Sequence, residues 1–201
     1  MSDKLLIIFA RNPVQGKVKT RLAQGIGDEE ALKIYHELLD FTIEESSKVS
    51  AEKMLYYSDF IPEQQLNNDF SIALQTGEDL GERMKNAFSE GFKKGYGRII
   101  LIGSDSFEID ANDIQKAFFM LNDKDTVIGP ATDGGYYLIG LKAPFEPIFT
   151  NKPWSTDVIF KRTYLELMLY NKTIALLEEK SDIDTLEDLE EHYKKTKKSL
   201  S

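Results

Sequence analysis

Two stretches of the chain are apolar at almost every position: residues 4–10 (KLLIIFA) and 98–103 (RIILIG). Neither alternates apolar with polar residues, and both are too short for a buried helix. Each therefore reads as a strand covered on both faces. Strands of that kind sit in the middle of a parallel sheet, and parallel neighbours need crossover connections, usually helical. The segments between them have the helical period. Ala31, Ile34, Tyr35 and Leu38 fall at i, i+3, i+4 and i+7 within a pattern over 28–49, which gives one apolar stripe. Further helices are expected over 62–68, 80–94, 111–121, 156–170 and 184–195, with strands over 53–58, 70–75, 126–129, 136–141 and 173–177. Strands alternating with helices predict an α/β domain on a mainly parallel sheet.

With 201 residues, no repeat and no linker-like segment, the expectation is one domain over 1–201, with a lysine- and serine-rich tail over 194–201 that frays. The chain has no cysteine and two histidines, His36 and His192. That removes disulfide scaffolds, thiolate nucleophiles, iron–sulfur clusters and histidine-rich metal sites. No GxSxG nucleophile elbow occurs. The apolar run at the start is short and no small-residue cleavage pattern follows it, so a cytoplasmic location and no membrane span are expected.

The formal net charge is −9, which makes the chain a poor general binder of nucleic acid. Yet residues 4–27 hold five cations (Lys4, Arg11, Lys17, Lys19, Arg21) and no acid. Such an island is either chance clustering or the grip for one small anionic ligand.

In parallel sheets ligands gather at the carboxyl ends of strands, so the segments after the expected strands are the ones to inspect. After the first strand comes Ala10-Arg11-Asn12-Pro13-Val14-Gln15-Gly16-Lys17-Val18-Lys19-Thr20-Arg21. Gly16 and a helix start near Lys17 would offer backbone amides to a phosphate. Lys19 and Arg21 would add mobile and forked donors. It is neither a Walker loop nor a dinucleotide fingerprint; Gly25-Ile26-Gly27 follows no strand. A solvated lysine-bearing loop is the plainer reading. After the second apolar strand comes Ser104-Asp105. A carboxylate there is placed to hold a magnesium ion shared with phosphates, or to cap a turn. Asp182 and Asp184, after the last strand, could reach the same ion, although Asp184 with Glu187 also has the spacing of a helix cap.

Three further segments have paired readings. Asp133-Gly134-Gly135 is an ordinary hairpin turn, or a side-chain-poor approach for an acceptor with Asp133 as base. Gln75 and Gly77 could border a nucleobase, while Asp79 beside them is a plain helix cap. Trp154-Ser155-Thr156 lines an acceptor pocket, or opens a helix with Ser155 as cap.

Taken together these blocks resemble a bacterial, glycosyltransferase-labelled branch of the GT-A, nucleotide-diphospho-sugar transferase superfamily, similar also to 2-phospho-lactate guanylyltransferase and molybdenum cofactor guanylyltransferase. The resemblance rests on Phe9 to Pro13 with Gly16 to Ala23, Gln75 to Gly77 with Asp79 to Met84, Gly103 to Asp105, Gly129 to Ala131 with Asp133 to Leu141, Trp154 to Thr156, and Asp182 to Thr185, in that order. It implies a three-layer α/β/α sandwich with a mixed, mostly parallel sheet. It implies a divalent ion held by Asp105 and a nucleotide whose phosphates lie over the first loop; with the reading of the residues above, the expected metal set is Asp105 with Asp184 or Asp182, holding Mg2+ or Mn2+. Phe107 and Gln15 stand where prolines are usual in the family.

The expected function is therefore a divalent-metal-dependent transferase with a nucleotide-sugar or nucleoside triphosphate donor. Lys19, Arg21, Asp105 and Asp133 would be catalytic. Ala10, Arg11, Gly16, Lys17, Lys19, Thr20, Arg21, Gln75, Gly77 and Ser104 would bind nucleotide. Asp133, Gly134, Gly135, Trp154, Ser155 and Thr156 would face a small-molecule acceptor. Nucleotidyl transfer with pyrophosphate release, and a non-catalytic nucleotide-binding module, are the alternatives.

Overall fold

The computed structural model describes residues 3–63, 69–154 and 156–199. The helix expected over 62–68 falls mainly outside these residues, and so does Ser155. The elements run β1 (Lys4–Ala10), α1 (Thr20–Ile26), α2 (Asp28–Ser47), β2 (Glu52–Tyr57), β3 (Ser71–Leu74), α3 (Leu80–Lys93), β4 (Arg98–Ile102), α4 (Ala111–Met120), β5 (Thr126–Pro130), β6 (Tyr136–Leu141), α5 (Ile159–Leu169), β7 (Ile174–Leu176) and α6 (Leu186–Ser199), with a 3-10 turn at Glu146–Phe149.

The strands form one sheet in the order β3-β2-β1-β4-β6-β5-β7. β6 pairs antiparallel with β4 and β5, and all other pairings are parallel. The two all-apolar strands are neighbours near the centre, Ile7 opposite Leu101. Leu5, Leu6, Ile7 and Ile8 have no exposed surface, because both faces are covered. On one face Leu6 and Ile8 meet Ile114, Ala117 and Phe118 of α4 and Leu39 of α2. On the other, Leu5, Ile7 and Phe9 meet Met84, Ala87 and Phe88 of α3 and Leu167 of α5. Helices thus flank a mixed sheet on both sides: an α/β fold of three layers.

α3 lies close on the sheet because Gly91 has no side chain. A Cβ there would stand 2.6 Å from Ile99 Cδ1 and 2.8 Å from Leu5 Cδ2. A smaller core joins α1, α2 and α6 through Leu22, Ile34, Leu38, Ile183 and Leu189.

Several element ends differ from the sequence expectation. The first helix starts at Thr20 rather than near Lys17, since Lys19 adopts a left-handed backbone (φ 48°) just before it. α5 starts at Ile159 rather than Thr156; Thr156 instead closes the preceding turn by donating from Oγ1 to the Pro153 carbonyl (2.7 Å). α6 continues to Ser199, past the point where fraying is expected. Lys194 and Lys195 pair with Glu190 and Glu191 one turn back, the spacing that supports an exposed helix.

Candidate active site at the carboxyl rim of the sheet

Three loops converge beyond the ends of β1, β4 and β7. The loop after β1 is tied down by Asn12, which is almost fully buried. Its Oδ1 accepts from the backbone amides of Asp59 (2.8 Å) and Phe60 (3.2 Å), and its Nδ2 donates to the Phe60 carbonyl (2.7 Å). Tyr35, from α2, fixes the neighbouring residue. Its hydroxyl accepts from the Arg11 amide (2.8 Å) and donates to the Arg11 carbonyl (2.9 Å). The same oxygen lies 3.5 Å from Ser104 Oγ at the start of the β4 loop. Burial, outweighing these hydrogen bonds, pushes the Tyr35 phenol up to about 12.

The β4 and β7 loops are knitted to each other. Asp105 accepts at its carbonyl from Ile183 (2.9 Å). Ser106 Oγ donates to the Ser181 carbonyl (2.6 Å), and Glu108 Oε2 accepts from the Ser181 amide (2.9 Å). These bonds hold Asp105 beside Asp182 and Asp184 across a gap of nearly eighty residues in sequence.

The cationic loop and the acidic loops meet directly. Lys19 Nζ stands 2.5 Å from Asp105 Oδ1, with the lysine side chain 5% exposed and the aspartate 52%. Arg21 Nη1 lies 2.9 Å from Asp184 Oδ2. Arg11 and Lys17 are exposed and have no ion-pair partner among the described residues. Asp182 is raised to about 7: burial does most of this, the charges of Asp105, Asp133 and Asp184 add to it, and Lys19 opposes it. Lys19, Asp105, Asp133, Asp182 and Asp184 are therefore one electrostatic group.

The α6 cap resolves the double reading of Asp184. Thr185 and Asp188 form the reciprocal cap: Asp188 Oδ2 accepts from the Thr185 amide (2.7 Å), and Thr185 Oγ1 accepts from the Asp188 amide (3.3 Å). That leaves the Asp184 carboxylate turned to Arg21. Its one capping contact is its own amide, which donates to Asp188 (3.0 Å).

Other expected site residues are engaged in structure. The Gln75 amide donates to the carbonyls of Ala10 and Tyr56 (3.1 Å each), and its oxygen faces Arg83 Nη1 (3.4 Å). It ties the ends of β1 and β2 together, so its N–H groups are not free to read a base edge as expected. Gly77 has φ 141°, and a Cβ there would stand 2.8 Å from the Arg83 amide, so the start of α3 packs against this position too closely for any side chain. Asp79 caps α3, accepting from the Glu82 amide (2.8 Å).

Gly134 and Gly135 sit in the β5–β6 hairpin. Gly134 (φ 87°) is covered by the 156–159 turn, a Cβ there falling 2.0 Å from the Asp157 carbonyl oxygen. The Phe160 amide donates to the Gly134 carbonyl (3.0 Å). Gly134 is thus a packing glycine, not the open approach expected from sequence. The same contact does bring the 133–135 segment against Asp157 and Phe160. Asp133 folds back to accept from the Gly135 amide (2.8 Å). Trp154 lies over Gly81 at the start of α3, where a Cβ would stand 2.4 Å from its ring. Its indole N–H is buried with no hydrogen-bond partner among the described residues.

Asn12, Tyr35 and Ser106 are the positioning residues that sequence reasoning passed over. Only Asn12 left a trace: a polar residue between an apolar strand and Pro13.

No group of three or more His, Cys, Asp or Glu side chains is arranged around an ion position among the described residues. Mg2+, however, is commonly held by one or two carboxylates with substrate phosphates completing the shell. The four carboxyl groups of Asp105, Asp133, Asp182 and Asp184, answered by Lys19 and Arg21, are short of positive charge. That donor set suits a hard cation.

No helix among the described residues is long and apolar enough to cross a membrane. The family model described as "Uncharacterized protein conserved in bacteria (DUF2064)" matches residues 45–156, more than half of the chain. A protein from Desulfovibrio desulfuricans G20, assigned as a nucleotide-diphospho-sugar transferase, is 32% identical, with a TM-score of 0.93 over 98% of this chain and 89% of that one. CMP:2-keto-3-deoxy-manno-octonic acid synthetase, solved with CTP, shares the fold at 12% identity (TM-score 0.57; 98% and 100% covered). So does a Mycobacterium tuberculosis protein solved as a manganese complex, at 11% identity (TM-score 0.59; 94% and 96% covered). No curated protein matches the chain. With its mixed seven-stranded sheet and these likenesses, this chain is a transferase of the nucleotide-diphospho-sugar transferase superfamily and belongs to the DUF2064 family.

Proposed function

We propose that the chain is a divalent-metal-dependent, glycosyltransferase-like enzyme that takes a nucleotide-sugar or nucleoside triphosphate as donor and a small molecule as acceptor. The observation that carries this reading is the meeting of Lys19 with Asp105, 2.5 Å apart at the rim of the sheet, within the acidic group around Asp182. The relatives' nucleotide and manganese ligands support it by likeness of fold.

Phosphates would lie over the loop from Ala10 to Arg21, met by Arg11, Lys17, Lys19 and Arg21 and by the backbone at Gly16 and Thr20. Gly77 and Ser104 would border the nucleoside, with Gln75 holding the strand ends that shape that border. Asp105, with Asp184 or Asp182, would hold Mg2+ or Mn2+. When bound, the ion would neutralise charge on the departing phosphate. Lys19 would then exchange its contact with Asp105 for one with phosphate. Asp133, close to the charge centre, would accept the acceptor's proton, and the 154–157 segment would border the acceptor.

In glycosyl transfer an acceptor oxygen bonds to the sugar carbon, the carbon–oxygen bond to phosphate breaks, and a nucleoside diphosphate leaves. In nucleotidyl transfer the acceptor attacks the α-phosphorus and pyrophosphate leaves. Both reactions use the same cradle, and the released product separates them. The test is a thermal-shift screen of nucleotides and nucleotide-sugars with and without Mg2+, followed by product analysis of any ligand found. A ligand that binds only the folded state raises Tm, so a rise that needs both nucleotide and metal is expected. Tight, metal-independent binding without turnover would instead mark a binding module. A flat screen would sink the proposal.

A further inference from the structure

Among the described residues β7 (Ile174–Leu176) ends the seven-stranded sheet. Its parallel pairing with β5 uses one edge of its backbone. The Thr173 carbonyl accepts from the Thr126 amide (3.1 Å), and the Leu177 amide donates to the Ile128 carbonyl (2.9 Å). Bonding residues alternate along such a strand. Thr173, Ala175 and Leu177 therefore turn their backbone groups to β5, while Ile174 and Leu176 turn theirs away from the sheet. An edge of that kind is a template for a further strand.

The side chains beside this edge are apolar. Half of the large apolar side chains exposed among the described residues lie between Val158 and Leu176: Val158, Leu165, Met168, Leu169, Tyr170 and Leu176. Leu169 is 81% exposed and Leu176 45%. Leu167 of α5 and Ile174 of β7 meet in the same core, so α5 covers the face of the sheet to which Ile174 and Leu176 point. Apolar surface concentrated at one edge of a chain marks a protein–protein contact.

The charges at the two ends of β7 indicate the partner. Lys172 precedes the strand, its ammonium 5.0 Å from the Phe145 ring centre. It also acts on Asp125, an acid already held by the Thr173 amide and hydroxyl and by Lys142. Glu178 follows the strand and is exposed. A second copy of β7, antiparallel and centred on Ala175, puts Ile174 opposite the partner's Leu176. Both residues have outward backbone groups, so they exchange two hydrogen bonds, and the two-fold axis repeats the pair. The same register sets Lys172 opposite the partner's Glu178, twice, which is the favourable sense of a cross-strand charge pair. A parallel pairing would set like charges side by side. The ladder stops there, because the Glu178 carbonyl already accepts from the Tyr137 hydroxyl (3.0 Å).

We propose that β7 is the contact strand of a homodimer, in which two copies of the chain join edge to edge, antiparallel about Ala175, into one continuous sheet. The exposed apolar side chains of α5 flank the junction. The dimer does not depend on the reading of the carboxyl-rim site.

The chain has no cysteine, so one introduced thiol reports the register. Ala175 faces its own copy as a non-hydrogen-bonded pair, about 4.5 Å between Cα atoms, within the reach of a disulfide. Sedimentation velocity of the full chain should show a monomer–dimer equilibrium that moves to dimer with rising concentration. Ala175→Cys should give a disulfide-linked dimer on mild oxidation, and the exposed control Lys124→Cys should not. Lys172→Glu and Glu178→Lys should each weaken the dimer about ten-fold, and the two together should restore it. Leu176→Pro removes one outward amide and no bond to β5. It should be monomeric, with an unchanged circular dichroism spectrum. A chain that stays monomeric at every concentration overturns the proposal. So does a dimer whose 175 thiols do not link, a double exchange that fails to recover what each single one lost, or a folded Leu176→Pro that still dimerises.

Discussion

Asp105 and Lys19 form the ion pair on which the proposed chemistry rests, and each can be tested separately from the fold. Asp105 is half exposed, so Asp105→Asn removes its charge without opening a cavity. The expected loss of turnover is about 10²- to 10³-fold, the scale of a missing charge-stabilising contact, with the circular dichroism spectrum unchanged. Tyr35→Phe addresses a different link. It leaves the Arg11 amide and carbonyl without their partner, at a cost of about 1–3 kcal/mol. Tm should fall, and apparent donor affinity should weaken because the first loop is no longer held against Ser104. At this scale the sequence was partly legible. Lys19, Arg21, Asp105 and the aspartates after β7 stood out as charges next to strand ends. Tyr35 read only as one apolar position in a helical stripe, since periodicity does not show where a hydroxyl points. Gln75 and Gly134 carried a polar or flexible signal that the fold uses internally.

The elements depend on a few caps and close approaches. Glu45, near the end of α2, accepts from the Ala111 amide at the start of α4 (3.0 Å) and pairs with Lys48. Lys48 first, and then the Ala111 hydrogen bond, hold its carboxyl below the ordinary value. A carboxyl lowered on folding contributes stability above its unfolded value, and that contribution is lost as pH falls through the folded one. Acid titration of unfolding free energy should therefore show a shallower fall below about pH 4.5 in Glu45→Gln than in the parent chain. A Gly91→Ala variant probes the α3–sheet approach. The new methyl meets Ile99 and Leu5 side chains in the core, so denaturant unfolding should show a loss of about 1–3 kcal/mol, as overpacking does. Helix interiors and central strands were visible from period and apolarity, but their ends were not. The left-handed Lys19 delays α1, and the Thr185–Asp188 cap starts α6 one residue later than the Asp184–Glu187 spacing implies. Both follow from backbone geometry that residue type alone does not specify.

At the scale of the molecule, one central strand joins the two main cores. Ile7 is fully buried between β2 and β4 and packs towards α3. Ile7→Ala should cost about 2–5 kcal/mol, read as a lower denaturant midpoint with an unchanged slope, because the chain would still unfold as one unit. The amino-acid sequence by itself determined that the chain is α/β with a mainly parallel sheet. Apolar runs buried on both faces need helices on both sides, and the periods of those helices are written locally. It also placed a cationic loop after β1. Only the tertiary structure decided that this loop faces the aspartates after β4 and β7, that Asp184 is released from capping while Thr185 and Asp188 take the role, and that β7, with Lys172 and Glu178 at its two ends, lies at the edge of the sheet. Strand order and loop knitting bring together residues far apart in the chain, and no local pattern encodes distances of that kind.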